Sequence, residues 1–177
     1  MKRWIISDLH FGHINVIKYS NRPFTDVDDM NKQLIKKWNN VVGKDDLVYV
    51  LGDFTLYHKL DKIKEYTQAL NGRKILIMGN HDTRKPKDYI DAGFIQATRK
   101  PIMIEPGVIL MHEPFYDDKL IAKNYIYFFG HVHIKTCFMD TLPNCKCVCA
   151  ERLDYKPANF DDLLTEMRVK NDIWYLQ

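Results

Sequence analysis

Histidine and carboxylate residues in this sequence stand directly after short apolar runs. They form five blocks: Asp8-Leu9-His10, Gly52-Asp53, Gly79-Asn80-His81-Asp82, His112 and Gly130-His131-Val132-His133. Within the first and last blocks the two polar residues are two positions apart, so they point the same way on an extended chain. Imidazole and carboxylate groups together suit Mn, Fe, Ni or Zn, and no block supplies a thiolate that would favour a closed zinc site. The blocks therefore predict a transition-metal centre.

Each block on its own also has an ordinary structural interpretation. An Asp-x-His pair is common in surface loops, and Gly-Asn-His-Asp can form a turn because Gly and Asn tolerate left-handed backbone. His112 alone would usually be a hydrogen-bonded loop residue. What favours a metal centre is that all five blocks occur together, each after its own apolar run.

The apolar runs alternate with segments of helical periodicity. Strands are predicted at 3–7, 47–51, 74–78, 101–104, 108–111, 125–129, 145–149 and 173–176, and helices at 26–42, 60–70, 86–92 and 160–169. We expect a capping box at Thr25 and Asp28 to begin the first helix. We also expect a hairpin whose turn is Glu105-Pro106-Gly107.

The order of these elements predicts where the blocks lie. Strand, helix, strand, helix, strand in the first half is typical of parallel strands joined by crossover helices. Ligands bind such sheets in the crevice at the carboxyl ends of the strands. Because the five blocks follow five predicted strands, a sheet that sets these ends side by side would bring the polar residues together. We expect Gly52, Gly79 and Gly130 to allow sharp turns there.

Length and composition exclude several classes of protein. The chain has 177 residues, of which 46% are apolar and 28% charged, so it is not a disordered chain, and we expect one domain over residues 1–177. The net charge of +3 is too small to indicate nucleic acid or an anionic membrane. The first apolar run ends at Ser7-Asp8, before the length of a signal peptide, and no run approaches the roughly 20 residues of a spanning helix. We therefore expect a cytoplasmic protein without a membrane partner.

Three of the four cysteines alternate, at Cys145, Cys147 and Cys149, so they share one face of a predicted strand. A metal or redox cluster is one interpretation. However, no C-x-x-C pair is present, and free Cys is among the residue types most often buried. We therefore interpret the three thiols as buried structural residues, without disulfides in a reducing cytosol.

The five blocks resemble the motif series of the calcineurin-like metallophosphoesterases, a superfamily of dinuclear phosphoesterases. That series is D-x-H, G-D, G-N-H-[DE], H and G-H-x-H, and all five members stand here in order from Asp8 to His133. The segments Ser7 to His13, Asn21-Arg22-Pro23-Phe24 and Tyr155-Lys156-Pro157 resemble the small bacterial and phage branch of that superfamily.

The resemblance implies a fold and a set of roles. The fold would be an α/β four-layer α-β-β-α sandwich of two mixed β-sheets flanked by helices. One metal would be held by Asp8, His10 and His133, the other by Asn80, His112 and His131, and Asp53 would bridge both. His81 would act beside the phosphate as general acid or transition-state stabiliser, with Asp82 placed to orient its ring.

The implied function is hydrolysis of a phosphodiester by a hydroxide that bridges two divalent metal ions. Two cations about 3.5–4 Å apart can lower the pKa of a shared water and clamp both oxygens of an in-line displacement. We expect Mn, with Fe, Ni and Zn left open. The expected partner is a small phosphorylated substrate, whereas the charge gives no indication of nucleic acid, and the oligomeric state is left open.

Other functions of the same fold remain as alternatives. They are a phosphomonoesterase, a nuclease and a non-catalytic binding scaffold. A protein serine/threonine phosphatase is disfavoured because Gly52-Asp53 continues into Phe54-Thr55-Leu56 rather than the motif of that branch. A scaffold would be expected to have lost ligands, and this chain retains them all.

Two histidines lie outside the blocks. His13 shares a short loop with Asp8 and His10, so it either touches phosphate, orients a ligand or is a solvated loop residue. His58 precedes a predicted helix, and we interpret it as a surface residue.

Overall fold

The apolar runs of the first half pair into a five-stranded sheet. The computed structural model describes residues 1–171. The strands are β1 (Arg3–Ile6), β2 (Leu47–Val50), β3 (Arg73–Ile77), β4 (Gln96–Thr98) and, much later in the chain, β9 (Ala158–Asn159). β1 to β4 are parallel in the spatial order β4-β3-β2-β1, and β9 pairs antiparallel with β1. The predicted parallel arrangement of the first half is confirmed.

Four helices cover one face of this sheet. They are α1 (Ile14–Tyr19), α2 (Val27–Asn39), α3 (Leu60–Ala69) and α4 (Pro86–Asp91). In α2 the apolar residues Met30, Leu34 and Trp38 recur every four positions and are buried in one core with strand residues such as Val48 and Val50. This stripe is the periodicity that predicted the helix.

The start of α2 differs from the predicted capping box. Asp26, not Thr25, is the N-cap residue, and its side chain accepts hydrogen bonds from the backbone N–H groups of Asp28 and Asp29. A carboxylate at this position satisfies two otherwise unpaired donors and adds a favourable charge at the helix N-terminus. The predicted capping box was wrong because Thr25 and Asp26 are adjacent and both are residue types that cap helices.

The second sheet is built from the second half of the chain. Its strands are β5 (Ile102–Glu105), β6 (Val108–Leu110), β7 (Ile126–Phe129) and β8 (Cys145–Cys147). The predicted β5–β6 hairpin is present, and β6, β7 and β8 run parallel to one another. The chain then forms α5 (Phe160–Asn171).

The two sheets pack face to face. Ile5 and Ile77 of the first sheet share a core with Leu110 and Phe128 of the second, and α5 adds Phe160 to it. The outer face of the second sheet is covered by the 3₁₀ helix Phe138–Thr141 and neighbouring loops. The predicted α/β fold of two mixed sheets flanked by helices is confirmed, and its fourth layer is a 3₁₀ helix with loops rather than an α-helix.

Several short elements were not predicted. These are α1, β4 and β9, together with the 3₁₀ helices Asp118–Leu120, Phe138–Thr141 and Ala150–Leu153. Segments of this length carry too few residues to show a period. The strand predicted at 173–176 lies outside the described residues. Within residues 1–171, no helix is long and apolar enough to cross a membrane.

The cysteines on and after β8 are buried in a separate apolar cluster. Cys145, Cys147 and Cys149 pack there with Tyr127 and Phe129, and each is less than 8% exposed. Burial raises the pKa of the Cys145 thiol to about 12, so the thiolate that a metal would require is disfavoured. The predicted burial of these thiols is confirmed, and their structural role stays a prediction.

We expect Cys145→Ala/Cys147→Ala to lower the free energy of unfolding by about 1–3 kcal/mol, because two buried side chains are shortened. Urea denaturation measures the loss. Cys137→Ala is the matched control, since Cys137 is only half-buried, and it should cost less. A double variant as stable as the unmodified protein would contradict the packing role.

Candidate metal centre

The predicted site residues gather at one edge, where strands of both sheets end. Asp8 and His10 follow β1, Asp53 follows β2, and Asn80 and His81 follow β3. His112 follows β6, and His131 and His133 follow β7. Since the two sheets face each other, the ends of five strands surround a single cluster.

One group of side chains consists of Asp8, His10 and His133, which we call site A. The Nε2 atoms of His10 and His133 are 3.2 Å apart. Asp8 Oδ1 lies 3.9 Å from His10 Nε2 and 3.7 Å from His133 Nε2. Each residue thus offers one donor atom to a common point.

A second group consists of Asn80, His112 and His131, which we call site B. Asn80 Oδ1 lies 3.2 Å from His112 Nε2 and 3.1 Å from His131 Nδ1. The two ring nitrogens are themselves 3.2 Å apart. Asn80 is exposed, whereas His112 is 6% exposed, so site B opens toward solvent on its Asn80 side.

Asp53 lies between the two groups. Its Oδ2 is 3.5 Å from His10 Nε2 of site A and 3.6 Å from His112 Nε2 of site B. Burial raises the pKa of the Asp53 carboxyl to about 6. The charge of His112 opposes this rise, and the charge of Asp8 adds to it. Its Oδ1 accepts the backbone N–H of His81 at 2.9 Å, so the one oxygen Oδ2 faces both groups.

Five of these residues have left-handed backbone. The φ values are +59° at Asp8, +55° at His10, +51° at Asp53, +73° at His131 and +52° at His133. For residues other than glycine this conformation costs about 1–3 kcal/mol each and clusters at functional sites. The strain is what turns each side chain from the end of its strand into the cluster.

The glycines contribute in two different ways. Gly52 has a φ of +85°, as predicted for a sharp turn. Turns also begin at Gly79 and Gly130, where Asp82 N–H donates to the Gly79 carbonyl at 3.3 Å and Val132 N–H donates to the Gly130 carbonyl at 2.9 Å, but neither glycine has a positive φ. They permit close approach instead, because a Cβ on Gly79 would lie 2.2 Å from Asp53 Oδ1 and one on Gly130 would lie 2.6 Å from Asp8 Oδ2.

Asp82 organises the backbone rather than the ring of His81. Its Oδ2 accepts from the N–H groups of Asp53 at 2.8 Å and Gly79 at 2.9 Å, and its Oδ1 accepts from Phe54 N–H at 3.1 Å. The expectation that Asp82 orients the His81 ring is therefore wrong. A fully buried carboxylate with three amide partners instead joins the ends of β2 and β3.

Several ligand rings are fixed from behind. His112 Nδ1–H donates to the Leu51 carbonyl oxygen at 2.8 Å, which leaves the Nε2 lone pair facing site B. His133 Nδ1–H donates to Glu151 Oε1 at 2.8 Å, which leaves its Nε2 facing site A. His10 Nδ1 is 3.1 Å from His13 Nδ1, so His13 contacts a ligand and is not a solvated loop residue.

Two functional candidates were missed by the sequence reasoning. Glu151 holds His133, and Arg22 pairs with Glu151 and reaches the backbone of the first block. A signal for Glu151 was present, because it stands two positions after the predicted strand at 145–149, as Asp53 stands two positions after the strand at 47–51. The pKa of Glu151 is lowered, since the hydrogen bond from His133 and the charge of Arg22 outweigh the effect of its burial.

His81 lies at the open side of the cluster. Its ring centroid is 5.1 Å from that of His10 and 5.5 Å from that of His13. Burial lowers its pKa, although the nearby Asp82 charge opposes the shift. The ring also carries a nitrogen that is close enough to donor atoms of His10 and Asp53 for the three residues to share a metal ion. His58, which lies outside the five blocks, is exposed, as interpreted from the sequence.

A cavity of about 850 Å³ opens beside the cluster. His10, His81, His131 and His133 form one side of it. Tyr19, Tyr116 and Lys135 also line the cavity, and the two tyrosines are largely exposed. The cavity therefore offers apolar rings and a cation beside the histidines.

One observation that does not depend on the sequence motifs indicates that these residues fit divalent cations. Asp8 Oδ1 is buried and has no hydrogen-bond partner among residues 1–171, although it faces two histidine nitrogens. A buried carboxylate oxygen without a hydrogen-bond partner is unfavourable unless a cation lies against it. Ligands about 2.1 Å from a tetrahedral ion are about 3.4 Å apart, close to the N–N distances of both sites.

Comparisons with known proteins show the family of the chain. The family model described as calcineurin-like phosphoesterase matches residues 1–109. An uncharacterized protein of Methanocaldococcus jannaschii, MJ1445, is 39% identical over 167 residues, which cover 90% of this chain and 88% of that protein.

Two further similarities extend the comparison. The Gene 66 protein of Mycobacterium phage L5 is 40% identical over 85 residues, covering 47% of this chain and 41% of the phage protein. The crystal structure of AQ665 from Aquifex aeolicus, a protein of unknown function, superimposes with a TM-score of 0.74 at 26% identity, covering 93% of this chain and 98% of that one. On the family match and the archaeal similarity, the chain belongs to the calcineurin-like phosphoesterase family.

Proposed function

We propose that this protein is a metal-dependent phosphodiesterase with two divalent cations, held at sites A and B and bridged by Asp53. The observation that carries the proposal is the pair of donor groups that share one buried carboxylate at the wall of an open cavity. The donors are imidazole, amide and carboxylate without thiolate, which is compatible with Mn²⁺.

The cations, when bound, would lower the pKa of a water and offset the charge of the phosphate. The chain supplies the rest of the chemistry. Asn80 contributes a neutral oxygen, which limits the negative charge facing an anionic substrate. His81, at the cavity wall, is placed to donate a proton to the leaving oxygen.

The size of the cavity supports a diester rather than a monoester. A phosphomonoester needs space on one side of the phosphorus atom only. The cavity is also lined by residues outside the cluster, Tyr19 and Tyr116 among them, and its volume of about 850 Å³ leaves room for a second substituent on a phosphate placed at the cluster. Lys135 adds a positive charge that attracts an anionic small molecule.

A first prediction concerns metal content. Elemental analysis after loading with Mn²⁺ should give about two ions per chain, the count of a two-metal site. Asp53→Asn should lose both ions or nearly so, because the neutral amide cannot bridge two cations. Asp161→Asn is the control, since this half-exposed carboxylate pairs with Arg3 away from the site, and it should keep both. Full metal content in Asp53→Asn would refute the bridging assignment.

A second prediction concerns His81. Loss of a general acid costs about 10²–10⁴-fold in rate, so His81→Ala should keep both ions and lose activity on that scale. The loss should be larger for an alkyl ester, whose poor leaving group needs the proton, than for a nitrophenyl ester. His58→Ala is the exposed control and should be unaffected. An equal loss on both esters would show that His81 stabilises the phosphoryl oxygens instead.

A third prediction concerns substrate class. With Mn²⁺ present, kcat/KM should be at least about tenfold higher for bis(nitrophenyl) phosphate than for nitrophenyl phosphate, a difference of about 1.4 kcal/mol in transition-state stabilisation. Both activities should disappear with EDTA. A preference for the monoester would contradict the argument from the cavity and favour a phosphomonoesterase. Metal binding without hydrolysis of any ester would favour a scaffold.

A further inference from the structure

Arg22 and Glu151 form a buried ion pair behind site A. Arg22 Nε and Nη2 lie 2.9 Å and 2.8 Å from Glu151 Oε1. The side chain of Arg22 is 0% exposed and that of Glu151 is 3% exposed. Because desolvating two charges is costly, a buried pair is weak evidence of a contribution to stability. Its position therefore calls for another explanation.

The pair touches all three residues of site A or the backbone that carries them. Glu151 Oε1 accepts the Nδ1–H of His133 at 2.8 Å. Arg22 Nη2 donates to the carbonyl oxygen of Asp8 at 2.6 Å, and Nη1 donates to that of Leu9 at 2.9 Å, directly before His10. One ion pair thus holds a ligand ring from the second sheet and the left-handed turn that presents two ligands from the first.

Site B has no comparable contact with the pair. Among the hydrogen bonds of residues 1–171, neither Arg22 nor Glu151 reaches Asn80, His112 or His131. The ring of His112 is fixed by a backbone carbonyl instead. The support of the two sites is therefore asymmetric.

The surroundings of the pair explain sequence segments that the five blocks leave unused. Arg22 lies in Asn21-Arg22-Pro23-Phe24, and its guanidinium is 5.7 Å from the centroid of the Tyr155 ring. Phe24 packs edge-on against the same ring at 4.9 Å. The segments Asn21-Arg22-Pro23-Phe24 and Tyr155-Lys156-Pro157 therefore meet behind site A, where they enclose the guanidinium of Arg22.

We infer that Arg22 and Glu151 are positioning residues that set the metal affinity of site A without setting that of site B. The inference rests on the proposed function, since it requires a cation at each site. A carboxylate on the distal ring nitrogen fixes the tautomer and orientation of a ligand histidine, and loss of such a partner usually lowers metal affinity about 10- to 100-fold.

The test is a titration of chelator-treated protein with Mn²⁺, followed by calorimetry. The unmodified protein should bind two ions. Glu151→Gln keeps an oxygen for His133 but removes the charge that holds His133 and Arg22 together, so one ion should bind about 10- to 100-fold more weakly. The affinity for the other ion should change by less than about twofold, because the contacts of site B are untouched. Electron paramagnetic resonance should then show isolated Mn²⁺ where the unmodified protein shows a coupled pair.

Glu105→Gln is the matched control. Like Glu151, Glu105 pairs with arginine, since it accepts hydrogen bonds from Arg3 and Arg168, but it lies away from the site. This variant should bind both ions as the unmodified protein does. If Glu151→Gln does not fold, as judged by circular dichroism, Arg22→Met/Glu151→Gln replaces it, because that pair of changes leaves no charge unpaired.

The outcomes separate the two proposals. If the unmodified protein binds no metal, the proposed function fails. If it binds two ions and the Glu151 variant, single or double, binds both with unchanged affinity, only the positioning role is refuted. Equal weakening of both ions would also overturn the inference, because a general structural role would not distinguish site A from site B.

Discussion

The candidate centre depends on holding five ligand residues in left-handed backbone conformations. These turns persist because hydrogen bonds hold them from several directions. Asp8 N–H donates to the Gly52 carbonyl at 3.0 Å, and His10 N–H donates to that of Asp53 at 2.9 Å, so the turns after β1 and β2 support each other. His131 N–H donates to Asp8 Oδ2 at 2.9 Å and joins the second sheet to the first. Strain at each residue is thus offset by contacts made by another.

Burial tunes the charge state of the ligands. The pKa of His10 lies well below its usual value and that of His131 is also lowered, in both cases chiefly because burial disfavours the charged ring. A metal ligand must be a neutral imidazole, so these rings are available at neutral pH. His133 is the exception, since Glu151 and Asp8 raise its pKa despite burial. The two carboxylates, Asp8 and Asp53, supply the negative charge that the cluster of neutral rings lacks.

Long, strongly patterned segments were predictable from the sequence, and local geometry was not. The strand runs, α2 and α3 have enough residues to show their periods, and the blocks at the strand ends identified every residue of sites A and B as a candidate. Arg22 and Glu151 were missed because neither stands in a metal motif, and their proximity is created by the fold. The roles of Asp82 and Gly79 could not be read either, since they depend on backbone atoms approaching within hydrogen-bond or contact distance.

Sites A and B draw on both layers of the sandwich, and this has a consequence for how the molecule opens. Site A joins Asp8 and His10 of the first sheet to His133 of the second, and site B joins Asn80 to His112 and His131 in the same way. A bound ion would act as a cross-link between layers that otherwise meet through apolar contacts, hydrogen bonds and ion pairs such as Arg22–Glu151 and Arg3–Glu105. Separating the sheets at this edge would release the ion, so an ion at 100 times its dissociation constant opposes the opening by about 2.7 kcal/mol. Local unfolding and susceptibility to proteases at this edge would thereby be coupled to the free metal concentration of the surroundings.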